Sequence, residues 1–274
     1  MNAQSKLDKL NRNLRDLGCV AVAFSGGVDS TFLLKAAYSL LGNRVLAVTI
    51  RSGLVPPREI DESVQFVRKE EIEHIIVDED ELDIPGFAQN PPHRCYLCKM
   101  AVFSRIRRIA EEQGIPYVAE GSNADDVLDY RPGMRALAEL GILSPLREAG
   151  LTKQEIRQLS RDWDLPTWSK PSLACLATRF PYGEIITRER LAMIDAAEQY
   201  LLELGLRQVR VRFHGNLARI ETDKEGLRRL LSQDLREKVY YRFKEIGFVY
   251  VAVDLQGYRT GSMNETLVLQ STDR

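Results

Sequence analysis

What this chain has little of narrows its class before any motif is read. No apolar run approaches the roughly 20 residues that a membrane-spanning helix needs. Residues 1–17 carry several charges and no apolar core of signal-peptide length. Lys and Arg number 38 against 39 Asp and Glu, a net charge of −1. The overall charge therefore gives no reason to expect a polyanionic partner, although a local basic patch is compatible with it. Internal repeats and low-complexity tracts are absent. Cysteine is scarce, with four in 274 residues. A cytoplasmic protein is the simplest reading, and the length suffices for one large core or two moderate ones.

What is present begins with Ser25-Gly26-Gly27-Val28-Asp29-Ser30. It follows the apolar run at 19–24 and precedes a helical pattern at 31–38, so it joins a buried strand to a helix N-terminus. The first amides of a helix have no intrahelical partner and sit at the positive end of its dipole, which makes the junction an anion site. Gly26 and Gly27 permit close backbone approach, and Ser25 and Ser30 add hydroxyl donors. Asp29 would repel a bare phosphate, which implies a bridging Mg²⁺ or another cation. The ligand implied is a pyrophosphate. The loop lacks the Lys of G-x-x-x-x-G-K-[ST] and does not fit G-x-G-x-x-G. Its spelling resembles the PP-loop of the ATP pyrophosphatase superfamily, whose members split ATP between the α and β phosphates.

The pattern along the chain alternates strand and helix. An amphipathic helix carries Leu7, Leu10, Leu14 and Leu17. Strands are expected at 19–24, 44–50, 73–77 and 117–120, and helices at 31–38, 57–69 and 99–113. Repeated βα units predict an α/β fold with a parallel twisted sheet, whose ligand site lies beyond the carboxyl ends of the strands. Further on, helices are expected at 152–163, 187–204 and, as one long element, 224–246. Strands are expected at 208–213, 217–220 and 248–255. We therefore expect residues 1–183 to form the PP-loop domain and 184–274 a smaller α+β domain. Along 209–214 the residues alternate, with Val209, Val211 and Phe213 on one face and Arg210, Arg212 and His214 on the other. That basic face is open to two readings, a solvated strand face or a phosphate clamp.

Cys19 opens the first strand and reads as a small core residue. Cys95 and Cys98 form a C-x-x-C in a Pro-rich segment, which in a cytosolic chain suggests redox or metal chemistry rather than a structural disulfide. A second C-x-x-C is missing, and Cys175 is the remaining cysteine in a comparable loop. Three thiolates suit a [4Fe–4S] cluster with one open iron. A structural Zn²⁺ site with His93 as fourth ligand stays open beside it.

The segment Ser172-Leu-Ala-Cys175-Leu-Ala-Thr-Arg179-Phe-Pro-Tyr-Gly183 resembles the signature of the LarE family, sulfur-inserting enzymes of nickel-pincer nucleotide biosynthesis and lactate racemase maturation. The blocks Gly121-Ser-Asn-Ala-Asp-Asp126, Asp129-Tyr-Arg-Pro-Gly133, Val209 to His214, Ala218 to Glu221 and Gly257 to Asn264 extend the resemblance over nearly the whole chain. It implies the adenine nucleotide alpha hydrolase-like fold. It also implies an ATP- and Mg²⁺-dependent reaction that adenylates a carboxylate of pyridinium-3,5-biscarboxylic acid mononucleotide and turns it into a thiocarboxylate. By the same resemblance Cys175, Asp29 and Ser30 are catalytic, and Ser25, Gly26, Gly27, Asp29, Ser30, Gly121 and Asp125 bind the nucleotide. Arg210, Arg212, Arg259 and Glu198 then bind the substrate. In better-known members the cysteine matching Cys175 gives up its own sulfur and becomes dehydroalanine. Those members lack Cys95 and Cys98, a departure that points to sulfide delivered through a [4Fe–4S] cluster on Cys95, Cys98 and Cys175. The resemblance also implies a homo-oligomer, as large as a hexamer, fed by a sulfide source.

Two other readings stay open. A PP-loop tRNA thiolase would need a basic surface for a polyanion, against which the neutral charge balance counts. A non-catalytic metal-binding protein on a PP-loop fold would have little use for an intact SGGVDS.

Overall fold

The computed structural model describes residues 2–128, 132–172 and 174–265. Leu7, Leu10 and Leu14 are the buried stripe of α1 (Ala3–Leu17), which Asn2 caps by accepting from the Ser5 amide at 2.9 Å. Then follow β1 (Val20–Ala23), α2 (Val28–Leu41), β2 (Val45–Arg51), α3 (Pro57–Lys69) and β3 (Glu73–Asp78). After them come α4 (Arg94–Glu112), β4 (Val118–Ala119), α5 (Pro132–Glu139), α6 (Pro145–Ala149) and α7 (Lys153–Asp162). Among the described residues these strands form a parallel sheet of order β3-β2-β1-β4. Successive strand residues point to opposite faces, and both faces are covered. Val20, Val22, Val45 and Ala47 pack into a core with α1, α2 and residues of α6 and α7. Ala21, Leu46, Val48 and Val118 pack into a second core with α4 and Leu137 of α5. The strand order reverses at β1, so the loop leaving β1 sits at the switch point of the sheet, where such folds bind ligands. The sheet and its flanking helices make the α/β PP-loop fold.

The chain divides into two compact units: Met1–Ile84 with His93–Leu173, and Pro85–Pro92 with Ala174–Arg274. The second contains α8 (Arg188–Glu203), β5 (Val209–His214), β6 (Leu217–Thr222), α9 (Lys224–Leu230), α10 (Gln233–Ile246) and β7 (Tyr250–Val253). Strands β5 and β6 form an antiparallel hairpin, and β7 pairs with β6 in parallel. Phe180, Phe213, Phe243 and Phe248 are buried together, the first two 5.3 Å apart between ring centres. Residues 85–92 join this unit because Gly183 and Ile186 donate their amides to the Asn90 and Ala88 carbonyls at 2.9 and 2.8 Å. Among the described residues no helix is long and apolar enough to cross a membrane.

Four departures from the sequence expectation stand out. Helix α4 starts at Arg94, not 99, because the prolines end just before it and Arg94 is itself buried in the first turn. Cys95 and Cys98 therefore lie on a helix and not in a loop. The long helix expected at 224–246 is two helices. Ser232 adopts extended backbone (φ −64°, ψ 144°) and starts α10, the ordinary behaviour of Ser at a helix entrance. Helices α5 and α6 had no counterpart in the sequence reading. Of the family blocks, residues 129–131 and 173 lie outside the described residues.

Candidate active site

Strand β1 delivers the chain into Ser25–Ser30 through Phe24, whose carbonyl accepts the Thr49 hydroxyl at 2.7 Å. Gly26 has φ +70°, and a Cβ there would lie 2.2 Å from the Ser63 hydroxyl oxygen on α3. No other residue fits that turn against that helix. Gly27 is the cap of α2 and offers no side chain to its first amides. Ser30 closes the loop on itself, donating to the Gly27 carbonyl at 3.2 Å, accepting from the Ser25 amide at 3.3 Å and lying 3.1 Å from the Ser25 hydroxyl. Gly121, just beyond β4, lies beneath: a Cβ there would sit 2.9 Å from the Ser30 nitrogen. Ser25, Gly26, Gly27, Asp29, Ser30 and Gly121 are thus gathered in one place.

Charge around this loop is balanced by residues the sequence reading missed. Asp29 Oδ2 receives Lys153 Nζ at 2.5 Å. Lys170 Nζ is 2.6 Å from Glu59 and 3.3 Å from the Gly26 carbonyl oxygen, and its side chain is 12% exposed. One local anomaly marks Lys153. It occupies the first position of α7, where the helix dipole disfavours a cation, between Thr152 and Glu155 of the capping box. For Lys170 the sequence carries no signal short of the fold. Asp125 supports this arrangement from the side, accepting from the Lys153 amide at 2.8 Å and donating its own amide to Asn123. Its carboxylate helps set the start of α7.

Burial pushes the Asp29 pKa above the ordinary carboxylate value, although Lys153 pulls it down. Its Oδ1 is buried with no partner in good hydrogen-bond geometry, although the Asn123 side chain, like Lys153, lowers its pKa. A desolvated, unpartnered carboxylate oxygen at an anion-binding helix end fits a hard cation such as Mg²⁺.

In the second unit, Cys175 is half-buried and immediately precedes a 3-10 turn, Leu176–Arg179. Arg179 and Glu198 form a bidentate pair at 2.8 and 2.9 Å, both side chains 3% exposed. Burial opposes ionisation of Glu198, but Arg179 at its oxygens brings its pKa below the usual range. Both faces of β5 are buried, so the basic face is not solvated. Arg212 donates to Glu221 at 2.6 Å, to Ser262 at 3.2 Å and to the Thr178 carbonyl at 3.1 Å, while its Nε is buried without a partner. Arg210 lies 5.3 Å over the Tyr258 ring, and burial followed by Arg179 lowers its pKa. Arg259 bonds Asp254 and Glu265 at the rim, both at 3.2 Å. Arginine predominates here. Arg179, Arg210, Arg212, Arg219 and Arg259 meet Glu198, Glu221 and Asp254, with Glu265 outside.

Cys95 and Cys98 are three residues apart on α4, hence on one helix face, and both are half-buried. Two thiols are thus presented together by the first unit, whereas Cys175 belongs to the second. Among the described residues no three His, Cys, Asp or Glu side chains are gathered on one metal position.

A parallel sheet with a glycine loop at its switch point, opening an uncapped helix flanked by lysines, defines the PP-loop ATP pyrophosphatase class. No family model matches the chain. It is 40% identical over 264 residues to an uncharacterised protein of Synechocystis sp., covering 96% of this chain and 98% of that one. It is 38% identical over 255 residues to the pyridinium-3,5-bisthiocarboxylic acid mononucleotide synthase of Lactiplantibacillus plantarum, covering 93% of this chain and 92% of the relative. A component of the glutamine-hydrolysing GMP synthase of Thermoplasma volcanium is 27% identical over 214 residues, 72% of this chain and 68% of its own. The chain belongs to the LarE family of pyridinium-3,5-bisthiocarboxylic acid mononucleotide synthases, and it is an ATP-dependent synthase.

Proposed function

We propose that the chain adenylates a carboxylate of pyridinium-3,5-biscarboxylic acid mononucleotide and converts it into a thiocarboxylate. In the first step a carboxylate oxygen attacks the α-phosphorus of ATP, and the α–β bridging bond breaks to release pyrophosphate. A sulfur nucleophile then attacks the acyl carbon and AMP leaves. With hydrosulfide the balance is acyl-AMP plus HS⁻ giving thiocarboxylate, AMP and a proton. Adenylation is needed because an oxide is a very poor leaving group and AMP a good one.

The observation that carries this reading is the uncapped α2 N-terminus between Lys153 and Lys170, with Asp29 Oδ1 buried and unpartnered beside it. The α2 amides and Ser25 would hold the phosphates, and Asp29 the Mg²⁺, which offsets charge on the departing pyrophosphate. Residues 1–183 would do this work and 184–274 would bind the substrate. The arginine excess around Arg210, Arg212 and Arg259 supports a phosphate there, since guanidinium groups bind phosphate oxygens in pairs. The test is pyrophosphate release with the mononucleotide present. Asp29→Ala and Ser30→Ala should each abolish it while the circular dichroism spectrum is unchanged, and normal release by folded Asp29→Ala would sink the proposal.

The sulfur is proposed to come from sulfide held by a [4Fe–4S] cluster on Cys95, Cys98 and Cys175, for which the donor set of three thiolates is the support. When bound, such a cluster offers an open iron for hydrosulfide. The second reading has Cys175 as sacrificial donor, a chemistry that needs no residue of the unit holding the C-x-x-C. A homo-oligomer completes the proposal, and sedimentation equilibrium reads it directly.

A further inference from the structure

The segment carrying Cys175 would be an ordinary surface connection were it not tied down from inside. Residues 172 and 174 are exposed, yet Leu176 and Ala177 are 1% and 0% exposed. The carbonyl of Cys175 accepts three hydrogen bonds: from the Thr178 amide at 3.0 Å, the Thr178 hydroxyl at 2.8 Å and Arg179 Nη1 at 3.1 Å. Arg179 Nη1 also reaches the Ala174 carbonyl at 2.8 Å and the Thr178 hydroxyl at 2.9 Å. Its other edge, Nε and Nη2, is bound to Glu198 on α8. Glu198 Oε1 in turn accepts the Val211 amide of β5 at 2.9 Å.

Burying such a pair is costly and repays little in stability unless its hydrogen bonds are met. Here they are met by the backbone on either side of one cysteine. A guanidinium is the one side chain that spans a carboxylate and two carbonyls at fixed angles. Glu198 is 2% exposed and accepts three hydrogen bonds from within the protein, which leaves little of it open to a substrate.

We infer that Arg179, held by Glu198, is a positioning residue that fixes the backbone of Cys175 for sulfur transfer, and that Glu198 acts through Arg179 and not on the substrate. This rests on the proposed reading of Cys175 as the residue through which sulfur reaches the acyl carbon. A misplacement of about 1 Å at a reacting group costs on the order of a hundredfold in rate.

The test separates the two half-reactions in Arg179→Lys and in the isosteric Glu198→Gln. Pyrophosphate release and the KM for the mononucleotide should stay near the parent values. Thiocarboxylate formed per adenylate should fall by about ten- to a hundredfold. In Arg179→Gly, added guanidinium should restore transfer and ammonium should not. A readout free of turnover is iodoacetamide labelling quantified by peptide mass spectrometry, with the Cys175 rate altered and the Cys95 and Cys98 rates unchanged. If Arg179→Lys does not fold, Glu198→Gln carries the same test. A raised mononucleotide KM with unchanged transfer per adenylate would overturn the inference and return Glu198 to the substrate. Equal loss of both half-reactions would also overturn it, leaving the pair a stability element. Cys175→Ser is the control for the underlying reading: if it still forms thiocarboxylate, Cys175 carries no sulfur, and that failure is visible without any Arg179 variant.

Discussion

Asp29 shows how one residue can serve the site at the expense of the fold. Its carboxylate is desolvated at the mouth of α2, and the attraction of Lys153 does not fully offset that burial, so its pKa is raised. A group whose pKa is higher folded than unfolded stabilises the fold below its unfolded pKa, and this contribution is lost as pH rises through the folded value. At neutral pH the ionised Asp29 therefore weighs against stability. Asp29→Asn should leave the thermal midpoint at pH 7 equal to or above the parent, and the difference should vanish at a pH below the ordinary carboxylate range. Pyrophosphate release should be lost in the same protein. Scanning calorimetry at two pH values checks it, and a lower midpoint at pH 7 would show that Asp29 supports the fold.

At the level of elements, the site depends on how closely β1, α2, α3 and the turn after β4 approach one another. Gly121 carries that approach, because a Cβ would meet the first turn of α2 at 2.9 to 3.3 Å through backbone atoms that cannot rotate away. Gly121→Ala should cost about 1–3 kcal/mol by overpacking and should weaken ATP binding more than mononucleotide binding. Equilibrium denaturation and nucleotide titration read the two effects.

The loop was legible in the sequence because its glycines, serines and flanking periodicities are local. So were β1 to β3 and α7, whose capping box is written out as Thr152 and Glu155. Lys170 was not legible. Its meeting with Gly26 joins residues 144 apart, and only the packing of α3 against the loop brings Glu59 to hold it. The arginine face of β5 was seen as a face. Its burial was not, because alternation gives the side of a strand and not what covers it. Cys95 and Cys98 were found by spacing, and their place on α4 was hidden by the prolines before them.

For the whole molecule the open question is whether it turns over or is consumed, and the answer lies in which unit supplies the sulfur. If Cys175 is the donor, its thiolate attacks the acyl-adenylate and AMP leaves a thioester. Loss of the Cys175 Cα proton then breaks the Cβ–S bond, giving thiocarboxylate and dehydroalanine. That chemistry uses the second unit's cysteine alone, consumes one residue per product and removes about 34 Da, the mass of hydrogen sulfide, from the chain. If sulfide is the donor, Cys95 and Cys98 in the first unit are required as well, and the chain mass is unchanged after many products. The C-x-x-C half-buried on one face of α4 favours the second outcome. We expect intact Cys175 after several product equivalents with added sulfide under anaerobic conditions, and we expect Cys95→Ala to lose transfer while keeping pyrophosphate release. Intact-protein mass spectrometry decides it, since stoichiometric dehydroalanine in an active Cys95→Ala protein would assign the sulfur to Cys175 itself.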